Sequence, residues 1–247
     1  MPGSPLQPVA AAPPLLLVGF VAYVVAVAGV ALAGLGAGLV RAGVPLERRL
    51  RIGRLSGAGL AAWFLFLAMT TVSGLYLDAP GPRVLLYAVP ALVAVPALAR
   101  ARWLVEAVRA MPTFWIPALQ TLRIGGGSSL FAAWSVGLAP WGMVLPAGIG
   151  DVLVGLAAGG VAFALARRAR GARPVAMVWN LVGLLDLLHT LFRAVTSASG
   201  PQRLFFEEPA NRIPAVFPFV YLPGFIVPLT LLLHVLSLRQ LGETRDA

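Results

Sequence analysis

The chain has no cysteine, no lysine and only two histidines, and its nine acidic residues face nineteen arginines. Without cysteine there is no disulfide, no thiolate metal ligand and no cysteine nucleophile, and the redox compartment stays undetermined. Without lysine there is no side-chain amine to form a Schiff base, which excludes a retinal pigment. Charged residues occupy 11% of 247 positions, too few for an ordinary soluble domain of this size.

What fills the chain is hydrocarbon: 59% of residues are hydrophobic and the mean hydropathy is +0.88. A bilayer core of ~30 Å takes about 20 apolar residues at ~1.5 Å rise each. The sequence divides into about seven such pieces, over 15–40, 56–77, 84–99, 113–137, 141–166, 175–196 and 215–238. The reading is an all-α, polytopic transmembrane bundle in one domain, since no joint is long enough to be an independent soluble unit. The first segment lacks a basic leader and is too long for a signal peptide, so it reads as a spanning helix.

Arginine placement sets the orientation, because basic residues in short loops stay cytoplasmic. Arg41, Arg48, Arg49, Arg51 and Arg54 follow the first segment. Arg100, Arg102 and Arg109 follow the third, and Arg167, Arg168, Arg170 and Arg173 follow the fifth. The opposite side has Arg83, Arg203 and Arg212, offset by Asp78, Glu207 and Glu208, and the first fourteen residues carry no side-chain charge. The expected topology has the N terminus outside and the C terminus, with Arg239 and Arg245, in the cytoplasm. The net charge of +10 then reads as topology arginines facing anionic lipid, not as a nucleic-acid surface.

Three charges lie at mid-membrane depth, where each costs at least ~2.5–3.5 kcal/mol on insertion scales. Arg123 lies ~15 Å from the inner boundary and Asp151 about 15 Å from the outer one, so the tight Ala139-Pro140-Trp141 turn brings them level. An Arg123–Asp151 ion pair follows. Asp186 reaches a similar level, about 16 Å from the inside. Two acids against one arginine leave excess negative charge, most cheaply removed if one carboxyl keeps its proton. That would make Asp186 a titrating group, Asp151 the ion-pair partner and Arg123 an anion anchor or counter-ion. The competing expectation is a static lock between helices.

Nearer the cytoplasm, Gln120, Asn180 and His234 form a second polar layer from three helices. Interhelical hydrogen bonds of this kind contribute about 0.6–2 kcal/mol each, and stacked below the charges they outline a polar path. His189 and Arg193 share a helical face with Asp186 by spacings of three and seven, which predicts a local ladder. No cofactor is expected. His189 and His234 differ by more than ~10 Å in depth, unsuited to the two axial positions of one haem. Two distant histidines also cannot supply the three protein ligands of a catalytic zinc.

Gly125, Gly126, Gly127, Ser128 and Ser129 just after Arg123, and Pro218, Pro223 and Pro228 in the last segment, mark helix breaks of the kind that transporters place at binding sites. The same residues also suit close helix crossing. Gly29, Ala33, Gly34, Gly36 and Gly38 make a small-residue face for a helix neighbour or a second copy of the chain. Trp103, Trp115, Trp141 and Trp179 read as interfacial anchors.

Three runs and the closing segment carry a resemblance. They are Leu119-Gln120-Thr121-Leu122-Arg123, Leu145-Pro146-Ala147-Gly148-Ile149-Gly150-Asp151-Val152-Leu153-Val154-Gly155-Leu156 and Trp179-Asn180-Leu181-Val182-Gly183-Leu184-Leu185-Asp186-Leu187, followed by Val227-Pro228-Leu229, Leu233-His234 and Ser237-Leu238-Arg239. The C-terminal half resembles a group of uncharacterised bacterial multi-pass membrane proteins. The resemblance implies a bacterial inner membrane and no activity. From the residues themselves, the expected function is a proton-coupled carrier or ion pathway for a small solute. The alternative is a noncatalytic membrane assembly protein whose buried charges only lock packing. A membrane enzyme ranks third, since no acid, base and nucleophile set is evident.

Overall fold

A computed structural model describes residues 13–76 and 80–243, the side chains of 80–82 excepted. Asp78 and Arg245, used above for orientation, lie outside the described residues. The described chain is helical, with one isolated bridge between Ala198 and Asn211. Six helices are long and apolar enough to cross a bilayer. They are α1 (Pro14–Arg41), α2 (Leu46–Val72), α3 (Pro80–Arg100), α7 (Trp141–Ala166), α8 (Ala172–Thr196) and α9 (Val227–Glu243), the last entered through a π-helical turn, Leu222–Ile226.

The expected fourth span is not one helix. It runs as α5 (Trp115–Gln120) and α6 (Arg123–Ser135), separated at Thr121 and Leu122. Of the two expectations for the glycine run, a break or a close crossing, the crossing holds: the run lies inside α6, and a methyl on Gly127 would stand 2.6 Å from the Gly148 carbonyl oxygen of α7. The second span begins ten residues earlier than expected, because Pro45 starts the helix and Glu47 in its first turn bonds Arg51 at 3.2 Å. Arg48, Arg49, Arg51 and Arg54 therefore sit on the first turns of α2, not in a loop. The last span begins at 222, not 215, because Pro214 and Pro218 withhold amide hydrogens from any regular helix before it. A further short helix, α4 (Arg102–Arg109), follows α3.

Packing follows from this order. The short turn at Pro140 makes α6 and α7 an antiparallel pair, α8 packs beside α7, and α9 packs against α3 and α8. At one end α4 is clamped between α1 and α9. Gln240 Nε2 donates to the carbonyls of Val108 and Met111 at 2.7 and 2.6 Å, and Arg109 holds Glu243 by two bonds of 2.6 Å. Toward the other end lies an aromatic core around Phe20, Tyr76, Tyr87 and Phe219.

In hydrocarbon a carbonyl released by proline must find another donor. Pro228 cannot donate to Gly224, and the Gly224 oxygen instead accepts Trp63 Nε1–H from α2 at 2.9 Å. Pro146 cannot donate to Gly142, whose oxygen accepts Arg193 Nη2–H from α8 at 2.5 Å. Each proline thus converts a bond within one helix into a tie between two. Trp63→Phe should therefore lower the thermal midpoint in detergent, by the ~1–3 kcal/mol of an orphaned buried carbonyl. In a Pro228→Ala background, where the amide returns, the same change should cost clearly less.

Candidate functional site

The helix break before Arg123 positions the site. Thr121 Oγ1 donates to the Ala118 carbonyl at 2.8 Å, and Tyr23 Oη of α1 donates to the Leu122 carbonyl at 2.9 Å, so the exposed backbone of the break is satisfied. Arg123 is the first residue of α6, and its side chain is 1% exposed.

Each of its three nitrogens has an acceptor. Nε donates to Asp151 Oδ1 at 2.8 Å, and Nη2 lies 2.6 Å from the same oxygen. Nη2 also donates to Asp186 Oδ2. Nη1 donates to the Gly183 carbonyl at 3.4 Å and to His234 Nε2 at 3.2 Å. The expected Arg123–Asp151 pair is present and Asp186 completes it; each carboxylate side chain is 14% exposed. One guanidinium thus joins α6, α7, α8 and α9.

An arginine N–H can only donate, so His234 Nε2 is an acceptor and its hydrogen sits on Nδ1. Nδ1–H then donates to Asn180 Oδ1 at 2.9 Å, and Asn180 Nδ2 donates to Ser237 Oγ at 3.0 Å and to the Ala176 carbonyl at 2.8 Å. The two polar layers expected at different depths are therefore one network, because His234 reaches up to Arg123. Gln120 stands apart from it: its Nε2 donates to the Thr230 carbonyl at 3.1 Å, and its Oε1 is buried without a partner.

Two glycines make the convergence sterically feasible. A methyl at Gly183 would collide with the His234 ring and stand 3.2 Å from Arg123 Nη1, and a methyl at Gly150 would collide with the Asp186 carboxylate. Beside the network lies a cavity of about 40 Å³, lined by Arg123, Asp151 and Thr190 and reaching Asn211 and Ile213. The Thr190 hydroxyl is buried and unpartnered. The space suits a few waters, since one needs roughly 10–15 Å³ of such volume.

The predicted Asp186, His189 and Arg193 ladder does not form. Asp186 turns inward to Arg123, while His189 is exposed on the outer face of α8. Arg193 is drawn to the Gly142 carbonyl, to Glu207 Oε1 at 3.4 Å and over the Phe205 ring at 3.6 Å. Trp179 is also no interfacial anchor: it is buried, donates to the Val154 carbonyl at 3.1 Å and packs on His234 with centroids 5.0 Å apart. Sequence reasoning missed Tyr23, which lies a hundred residues from the break it serves, and Ser237. The small residue Gly183 between Asn180 and Asp186 was the available signal for close approach.

Fold and site together define an all-helical protein with six helices long and apolar enough to cross a membrane and an ion cluster in its C-terminal half. Residues 82–242 match the family described as Domain of unknown function (DUF8737), and the chain belongs to that family. The match takes in Arg123, Asp151, Asp186, Asn180 and His234 and leaves α1 and α2 outside it. Neither a curated protein nor a solved structure matches the chain.

Arg123→Gln strands two carboxylates and should cost ~3–5 kcal/mol, whereas Asp186→Asn leaves a balanced Arg123–Asp151 pair and should cost no more than about 1.5 kcal/mol. Thermal or denaturant midpoints of the two variants in one detergent check the asymmetry. Gly183→Ala should lose about 1–3 kcal/mol through overpacking on His234. Gly160→Ala, with open space around the new methyl, should be neutral or gain up to about 1 kcal/mol in the same assay.

Proposed function

We propose that the protein crosses the membrane seven times, with α5 and α6 together forming the crossing that is not a single helix. Their 21 residues, 115–135, span about 30 Å at a helical rise. The arginines following α1, α3 and α7, with Arg239 near the end of α9, then share one face, which supports an outside N terminus and a cytoplasmic C terminus. A bacterial inner membrane is the location favoured by the resemblance of the C-terminal half. The exposed Gly29, Ala33 and Gly36 face of α1 is open to a second copy of the chain.

Within that bundle, the Arg123, Asp151 and Asp186 cluster is a proton-binding site, and the protein is a proton-coupled carrier or ion pathway for a small solute. The observation carrying this reading is the convergence of two carboxylates on one buried guanidinium beside a helix break. The cluster is neutral only when one carboxyl holds a proton, and broken helices with buried charges are the usual setting of coupling sites. The water-sized cavity at Thr190 would connect the cluster to the outer end near Asn211, and His234, Asn180 and Ser237 would extend it inward. Asp186 is the proton acceptor, Asp151 the standing partner and Arg123 the counter-ion. The cavity is too small for a solute, so the solute's seat is elsewhere or forms in another conformation.

The acceptors met by every nitrogen of Arg123 favour a second reading, a static lock in a noncatalytic assembly protein. Proton flux separates the two. In liposomes with an internal pH dye and an imposed gradient, wild-type protein should dissipate the gradient at least several-fold faster than Asp186→Asn. Equal rates for wild type, Asp186→Asn and protein-free liposomes would leave only the lock.

A further inference from the structure

A second and larger cavity lies away from the ion cluster, in the half of the bundle that carries the ends of α1 and α3 and the start of α2. It measures about 600 Å³ and is walled by α1, α2, α3, α4, α5 and α9. Among the described residues no charged side chain lines it, and Ser56 is the only hydroxyl on its wall. The Trp63 indole nitrogen on that wall is already committed to the Gly224 carbonyl. Its occupant must therefore be hydrocarbon over most of its length, since a polar body would lose its hydration without replacement.

The shape agrees with a lipid chain. The lining positions run over 55–63 on α2 and 90–98 on α3, about 12 Å along each axis, and over 224–236 from the π-helical turn into α9, about 18 Å. That is close to half of the ~30 Å hydrocarbon thickness, the depth of one leaflet. The wall is thin between α1 and α2. Gly34 and Gly59 both line the cavity, and a methyl on either would meet no atom within 4 Å. The ties of α2 to the turn before α9 come from its second half, through Trp63, Phe64 and Leu67, while Leu50 and Leu55 are exposed. A chain can enter sideways from the bilayer.

The end of the cavity is cationic. Arg41 sits 6.0 Å from the Trp115 ring centroid and donates to Met111 Sδ at 3.4 Å, and both of those residues line the cavity. Arg54 and Arg102 are the chain neighbours of the lining residues Leu55 and Trp103. Over 41–54, 100–109 and 239–243 there are nine arginines against three glutamates, and Glu47 and Glu243 are already paired. A phosphate would find donors there at headgroup level.

We propose that this cavity is a binding site for an anionic phospholipid, with an acyl chain in the apolar slot and the phosphate at Arg41. The proposal does not depend on the role of the ion cluster. Trp63, Trp103 and Trp115 line the slot and provide an intrinsic reporter. Detergent-solubilised protein is titrated with phosphatidylglycerol, then with phosphatidylcholine, each carrying brominated acyl chains that quench tryptophan. Phosphatidylglycerol should quench saturably and at least tenfold more tightly than phosphatidylcholine. Gly59→Leu, placed in open space and so free to fold, should weaken that binding at least tenfold. Arg41→Gln should remove most of the preference for phosphatidylglycerol. Equal affinities for the two lipids would overturn the headgroup assignment. Quenching that does not saturate, or that Gly59→Leu leaves unchanged while its thermal midpoint stays native, would overturn the chain site. A lipid-free dimer in native mass spectrometry would assign the slot to a second copy instead.

Discussion

A guanidinium that is 1% exposed has no bulk water to accept its hydrogens, and the C-terminal half of this protein is organised around that fact. Every nitrogen of the Arg123 guanidinium meets an acceptor, and the four acceptor atoms come from Asp151 on α7, Gly183 and Asp186 on α8, and His234 on α9. Removing any one helix would leave part of the charge unsolvated, so the four elements have one mutual arrangement that satisfies it. Glycine at 150 and 183 is the steric counterpart of the same requirement, because the acceptors could not otherwise approach.

The same absence of water governs the backbone. Proline in a soluble helix can leave a carbonyl to solvent, but here the oxygens at Gly142 and Gly224 are taken by Arg193 and Trp63. The break before Arg123 is closed by Tyr23 in the same way. These ties run from α1, α2 and α8 to the irregular points of other helices. Side chains on α1 and α2, outside the matched family region, thereby hold breaks and turns that lie within it. The apolar slot marks where α2 is not tied, and its thin wall and arginine rim follow from that geometry.

Much of this was legible in the residues. Hydropathy located six of the spans, because a helix that must cross hydrocarbon has few other compositions available. Counting depth along antiparallel helices matched Arg123 with Asp151 and brought Asp186 to the same level. The method failed for His234 and Arg193. Depth along an axis does not report how far a side chain reaches or which competing acceptor draws it away. Arg193 prefers the proline-freed carbonyl of Gly142 to a ladder on its own helix. The glycine run left two expectations open for a related reason: glycine permits either a bend or a close crossing, and the neighbour, here Gly148, decides for the crossing. The early start of α2 was hidden because a helix leaving the membrane loses its hydropathy signal while keeping its hydrogen bonds.

The central claim is that the cluster balances one guanidinium against two carboxyl groups by holding a proton. Infrared spectroscopy of the protein in bilayers at neutral pH tests it directly, because a protonated carboxyl has a carbonyl stretch separate from that of a carboxylate. Wild type should show one such buried band, lost when either Asp151 or Asp186 is changed to Asn. No protonated-carboxyl band in wild type, with both aspartates ionised beside Arg123, would contradict it.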